Sequence, residues 1–178
     1  MTDVLRFEAF LLAHQDMVFA TAVRLVGRAA DAEDIAQTTF LKAWERFDEL
    51  DDNPAASGWL KTVATNLSLN YLSRYRSRWR FFSELASAED DEQGCETRIA
   101  AADVPDAVER SDELAELERA LRALPAHQRV PIVLFHFDQW SYDAIAARLG
   151  VSIGKIKTDI HRGRLALRAL LQDDDGTR

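Results

Sequence analysis

An all-α fold is what the sequence predicts: two small helical domains joined by an acidic flexible linker. Glycine is scarce, with seven in 178 residues, and runs of β-branched residues are few, so strands have little to build on. Apolar residues recur at three-and-four spacing through most of the chain, the period of a helix with one buried side. That period fails across SELASAEDDEQGCETRIAAADVPDAVER, where the composition is that of a solvated tether. The predicted boundaries are residues 1–80, a linker over 81–110, and residues 111–178.

The elements follow in order. Phe7, Phe10, Leu11, His14, Val18 and Leu25 form the apolar side of a first helix that stops at Gly27 as its C-cap. Asp31 is expected to cap the next helix, with Asp34 three residues on in a capping-box-like position. Its core stripe is Ala36, Phe40, Ala43 and Phe47. The acid-rich, Asn-Pro-containing stretch from Asp48 to Ser57 is a loop. A third helix starts near Ser57 and buries Leu60, Val63, Leu67 and Tyr71. Beyond the linker, Leu114, Leu117, Leu121 and Leu124 mark one helix, which Pro125 ends. Three more helical stretches follow: Val130–Phe137, Tyr142–Leu149, and Ile153 onward.

Composition bounds the function. At 47% apolar and 29% charged, the chain is globular rather than disordered. No uninterrupted apolar run approaches the roughly 18–20 residues that span a bilayer, and MTDVLRFEAF lacks a signal-peptide pattern. A single cysteine, Cys95, cannot form an internal disulfide, which fits a reducing cytoplasm. The histidines at 14, 127, 136 and 161 lack metal-ligand spacing, and no nucleophile–base pair is visible. The chain therefore reads as cytoplasmic and non-enzymatic, with no cofactor, no metal and no small-molecule substrate.

The net charge of −8 conceals a pattern. Residues 1–60 hold eleven acids and five bases, and residues 61–80 hold Lys61, Arg74, Arg76, Arg78 and Arg80 with no acid. Residues 81–120 hold thirteen acids and three bases, and residues 121–178 nine bases and six acids. Two basic regions thus flank an acidic one.

The second basic region has a frame. In SYDAIAARLGVSIGKIK, Ser141 caps one helix, Ala146 is small enough for a close crossing, Gly150 makes the turn, and Ser152 caps the next helix. Ile145, Leu149, Val151 and Ile156 supply a shared core. That is a helix-turn-helix, whose second helix enters the major groove. On that helix Ile156, Ile160, Gly163 and Leu167 face inward, while Gly154, Lys155, Thr158, His161 and Arg162 face outward. Lys155, Thr158 and Arg162 are the candidates for base contacts, and Lys157 and Arg164 for phosphates. About five cations on phosphates give a salt slope of roughly −4.5 and an affinity on the order of 10⁻⁴ to 10⁻⁶ M. A free monomer should bind DNA poorly, so something else must hold it there.

The N-terminal part decides among helix-turn-helix proteins. DAEDIAQTTFLKAWERF, the loop after it and GWLKTVATNLSLNYLSRYRSR together resemble region 2 of bacterial sigma factors. LPAHQRVPIVLFHFDQWSYDAIAARLGVSIGKIKTDIHRGRLALRALL resembles region 4. With only a short linker between, the chain resembles the extracytoplasmic-function (group IV) sigma factors of the sigma-70 family. The resemblance implies a factor that directs core RNA polymerase to promoters, with region 2 opening the −10 element and region 4 reading the −35 element.

Roles at individual positions follow from that resemblance. Asp34, Gln37, Thr38 and Leu41 would face the β′ clamp helices of polymerase, although Thr38 stands where the family usually has Glu. Region 4 would dock on the β flap. The loop Leu50–Ser57 would shape a pocket for an extruded base, with Asn53 and Ser57 as polar readers. Lys61, Asn66, Asn70 and Arg74 would follow the non-template strand. Asp51 and Asp52 depart from this pattern, since acids there repel phosphate, and Trp59 fits a core role better than stacking on a base. On the −35 side the set is Lys155, Lys157, Thr158, His161, Arg162 and Arg164, with His161 a groove-edge donor. Asp159 sits where many relatives carry a base; it would border the DNA face and deter a phosphate or accept from a cytosine amine.

The family's linker threads the basic active-site cleft and RNA exit channel of polymerase, which suits the acids here. About 30 residues of relaxed coil span roughly 30 Å, against roughly 70 Å between promoter elements two helical turns apart, so polymerase must stretch it. An anti-sigma factor that clamps both domains is a further implied partner, and a membrane-bound one would hold the chain at the inner membrane. Two other readings use the same helix-turn-helix. A response-regulator output protein would need an N-terminal βα receiver, which is not visible, and an all-α adaptor would not need the clustered cations.

Overall fold

The computed structural model describes residues 2–86 and 112–175, with side chains described for 3–74 and 113–172. The described residues form eight helices and no strand, in two compact units, so the all-α expectation holds. Most of the predicted linker, with Cys95, lies outside the described residues. So do the side chains of Arg76, Arg78 and Arg80.

The first unit packs α1 (Thr2–Val26), α2 (Ala29–Trp44) and α4 (Ala56–Ala86) against one another, with the short α3 (Phe47–Leu50) between α2 and α4. Gly27 ends α1 as predicted: its φ of 81° lets its N–H return to the Val23 carbonyl at 2.8 Å, a left-handed cap that costs glycine nothing. Averaged over its length, α1 is apolar and long enough to cross a membrane, which a search for uninterrupted apolar runs overlooks. Here Val18, Ala22, Val23, Leu25 and Val26 are buried within the bundle.

Asp31 does not cap α2. Arg28, with extended backbone and no side-chain cap, holds that position, and Asp31 lies inside the first turn, 3.6 Å from the Arg28 guanidinium. The left-handed turn at Gly27 lets the chain re-enter a helix at once, and Asp31 serves the free N–H groups through its charge instead. The stripe Phe40, Ala43, Phe47 is buried as expected, Ala36 is half-buried, and Ala32, Ile35 and Thr39 complete it. Thr39 reaches full burial because its hydroxyl donates to the Ile35 carbonyl at 2.8 Å.

The predicted loop Asp48–Ser57 is shorter in the structure, because α3 occupies its start. Phe47 and Leu50 anchor α3 in the core, and Arg46 pairs with Glu49 at 2.5 Å across its turn. On α4 the interior line is Leu60, Ala64, Ser68 and Leu69, whereas Val63, Leu67 and Tyr71 are only half-buried. Small residues win the centre because three helices meet there, and Ser68 is satisfied by the Ala64 carbonyl at 2.8 Å. α4 also runs through Ala86, past the boundary predicted at residue 80.

The second unit holds α5 (Asp112–Ala123), α6 (Ala126–His136), α7 (Tyr142–Leu149) and α8 (Ile153–Asp175). α6 begins four residues before the predicted Val130 because Pro125, which breaks α5, supplies the carbonyl that starts α6. Arg129 is buried and donates to the Leu124 carbonyl at 2.8 Å, tying α6 to the end of α5. Burial pulls its guanidinium down to about 10, which still leaves it charged at neutral pH. α8 crosses α6 at Gly163, where a Cβ would collide with the Ile132 side chain and come within 3.2 Å of Gln128 Cβ.

Candidate nucleic-acid interface

The helix-turn-helix forms as the sequence predicts. The Ser141 hydroxyl accepts from the Ala144 N–H at 3.2 Å and starts α7. Gly150 ends it with φ 67° and ψ 36°, and the Val151 N–H returns to the Ala146 carbonyl at 3.1 Å. The Ser152 hydroxyl then accepts from the Lys155 N–H at 3.2 Å and opens α8. Ile145, Ala146, Ile156 and Ile160 fill the junction, with Leu149 and Val151 half-buried at its rim. Gly163 is buried on the same side of α8, and Leu167 half-buried.

On the outer side Lys155, Lys157, Thr158, His161, Arg162 and Arg164 are all exposed. At about 100° per residue, Lys155, Thr158 and Arg162 share an arc of about 60° on the helix. The Thr158 hydroxyl donates to the Gly154 carbonyl at 3.0 Å, so it faces outward as an acceptor. Arg164 is drawn back toward α6: its Nε and a terminal nitrogen reach His136 Nε2 at 3.2 and 2.9 Å, and its guanidinium lies 5.8 Å from the Phe135 ring. His136 must be neutral to accept these bonds. Burial first, then the Arg164 charge, push it below the ordinary histidine value, outweighing the C-terminal helix dipole that favours imidazolium.

Asp159 is not on the DNA border. It is 5% exposed, and its carboxylate takes the Lys155 ammonium at 2.9 Å. Neither repulsion of a phosphate nor acceptance from a cytosine amine is open to it. Projection at 100° per residue places it next to the buried stripe, but sequence weighs an acid toward solvent, so its burial was missed.

In the first unit the turn after α3 borders a cavity of about 400 Å³, whose lining includes Arg6, Phe10, His14, Asp51, Asp52 and Asn53. Arg6, at the far end of the sequence unit, makes an ion pair with Asp51 and lies 3.9 Å from Asp52. Both acids of this turn therefore lie beside a counter-charge from α1. No local sequence signal links positions 6 and 51. Asn53 commits its amide N–H to the Glu49 carbonyl at 3.0 Å and its carbonyl to the Ala55 N–H at 2.9 Å, leaving one donor and one lone pair. Ser57 lies 3.5 Å from His14.

The remaining α4 candidates do not share one surface. Asn66, Asn70 and Arg74 are exposed along one side, whereas Lys61 is half-buried and about 140° away from Asn66 around the helix. Trp59 is half-buried against the core, with the Arg46 guanidinium 5.9 Å from its ring, consistent with a core role. On α2, Asp34, Gln37, Thr38 and Leu41 are all exposed at one-face spacing. Leu41 is 66% exposed and neighbouring Trp44 45%, an apolar element on a polar face. The Thr38 hydroxyl is turned onto the Asp34 carbonyl at 2.8 Å.

Comparison with known proteins places this geometry. The family model "Sigma-70 region 2" matches residues 10–80, and "Sigma-70, region 4" matches residues 114–167. The Bacillus subtilis (strain 168) "ECF RNA polymerase sigma factor SigW" is 32% identical over 161 residues, 90% of this chain and 86% of the relative. The Streptomyces avermitilis "RNA polymerase sigma-E factor" is 31% identical over 97% of this chain and 89% of the relative. Among solved structures, the sigma factor RpoE from Bartonella quintana, in complex with the anti-sigma factor NepR, is 28% identical over 93% of this chain and 96% of that one, with a TM-score of 0.49. Two helical units with a helix-turn-helix in the second define an initiation factor that works through RNA polymerase at promoter DNA. The chain belongs to the extracytoplasmic-function sigma factors of the sigma-70 family. It directs core RNA polymerase to promoters, and it does so in the cytoplasm.

Proposed function

We propose that α8 reads the −35 element while the turn after α3 and the outer side of α4 open the −10 element. The observation that carries this is the first three turns of α8, where Lys155, Thr158, His161 and Arg162 are exposed after the left-handed turn at Gly150. Those are the turns that a helix-turn-helix inserts in the major groove. Lys155, Thr158 and Arg162 contact bases, His161 donates at the groove edge, and Lys157 contacts phosphate. Arg164 reaches phosphate only after leaving His136.

At the −10 element, the cavity beside Asp51–Asn53 receives the extruded base. Asn53 offers its remaining donor and lone pair, and Ser57 its hydroxyl. Asn66, Asn70 and Arg74 follow the non-template strand along one side of α4, and Lys61, half-buried and about 140° round the helix from Asn66, lies off that track. The exposed face of Asp34, Gln37, Thr38 and Leu41 docks on the β′ clamp helices, and the second unit on the β flap. An anti-sigma factor that covers these faces keeps the chain inactive, at the inner membrane where that partner is membrane-bound. The chain itself carries out no catalysis; the acidic stretch that follows α4 threads the polymerase cleft.

Run-off transcription with core polymerase and a randomised promoter library tests the reading. The chain alone should give promoter-specific product with defined −10 and −35 preferences. Product that needs a second sigma factor would make it an adaptor or a conventional regulator.

A further inference from the structure

We infer that buried Asp159 is the residue that positions Lys155 as a reader of one −35 base edge, and so sets sequence discrimination there. The inference rests on the −35 role proposed for α8. Lys155 is fixed at both ends. Its backbone N–H is held by the Ser152 cap at 3.2 Å, and its ammonium by Asp159 one turn along the helix at 2.9 Å. The Asp159 side chain is only 7% exposed while that of Lys155 is 45% exposed, so the pair has an anchored end and a free end. A carboxylate that deeply buried is costly to leave without a partner, and Lys155 is the partner the structure gives it. The lysine chain, otherwise flexible at every bond, is thereby confined to one arc of the outer face, which it shares with Thr158 and Arg162.

The pairing changes what Lys155 does at DNA. An ammonium has three donors; Asp159 takes one, and two remain directed outward. Beside a carboxylate the ammonium is close to neutral as a pair, so it contributes little to phosphate attraction and counterion release. Two placed donors suit the paired acceptors on a guanine edge in the major groove. The buried acid therefore converts a neighbouring cation from a phosphate clamp into a base reader.

The test uses the full chain bound to core polymerase. Promoter fragments carrying every single substitution in the −35 element are compared for wild type, Asp159→Asn, Lys155→Ala and the double variant. Asp159→Asn should lower discrimination at one −35 position by about tenfold, the size of one good base contact. It should also steepen the salt dependence of non-specific DNA binding by about 0.9, one added phosphate contact. Lys155→Ala should flatten the same position without steepening the salt dependence, and the double variant should lose no more discrimination than Lys155→Ala alone. Equal losses at all −35 positions for Asp159→Asn, or additive losses in the double variant, would give Asp159 a packing role and overturn the inference. Lys155→Ala with an unchanged −35 profile would overturn the inference while leaving Thr158 and Arg162 as readers; an unchanged profile for Lys155→Ala combined with Arg162→Ala would overturn the −35 reading of α8 as well, which separates the two failures.

Discussion

α4 and α8 are both long helices with polar outer surfaces, yet only on α8 is every candidate residue exposed. On α8 the turn at Gly150, the Ser152 cap and the crossing at Gly163 fix which side faces in, and every outer residue then has a defined direction. On α4 the candidates span both sides of a three-helix packing, with Asn66, Asn70 and Arg74 outside and Lys61 half-buried. A motif whose frame includes its own packing contacts specifies orientation, whereas a motif recognised from residue order specifies only location.

The contrast can be broken at each frame in turn. Leu60 is fully buried where α4 meets the first-unit core, so Leu60→Ala should cost about 2–5 kcal/mol, read by hydrogen exchange of the α1, α2 and α4 amides. Gly163→Val drives side-chain atoms into Ile132 and Gln128 and should cost about 1–3 kcal/mol in the protection of α6 and α8. If Gly163→Val is silent there, α8 does not take its orientation from that crossing. A smaller loss is expected from Gly150→Ala. A Cβ at Gly150 has open space, but the φ of 67° is unfavourable for any L side chain by about 1–2 kcal/mol, measurable by denaturant unfolding.

The smallest expected effect is pH-dependent. His136 is held below its ordinary value of 6.5 by burial and then by Arg164, so the unfolded chain binds more protons there than the folded one. Its contribution is therefore fully present above about pH 6.5 and is lost as pH falls through that value toward the lowered folded one. His136→Gln accepts from Arg164 without titrating. Thermal unfolding from pH 7.5 to 5.5 should consequently show a smaller drop for the variant than for wild type; equal drops would mean that the Arg164–His136 contact does not depend on the neutral ring.

What was legible in the sequence follows the same division. The ends of α7, its left-handed turn and both serine caps could be read because each is a local chemical requirement. Ala36, Phe40 and Ala43 found the right side of α2 and Phe47 the core side of α3, but Thr39 and Ser68 were missed because hydroxyls that bond their own helix look polar in a sequence and behave as core. Asp31 as a cap failed for a neighbouring reason: Gly27 releases the chain into a new helix three residues sooner. Long-range pairing was beyond reach altogether. Nothing near Asp51 announces Arg6, and nothing in the pattern around Asp159 says that an acid will be buried.

The most direct test of the α8 assignment is the double substitution Lys155→Ala, Arg162→Ala in the full chain, assayed for core-polymerase binding and for promoter selection side by side. The expected result is −35 selectivity reduced by on the order of a hundredfold, two base contacts at about tenfold each, with core binding unchanged. Core binding lost in parallel with selectivity would contradict it and make that face of α8 a polymerase contact instead.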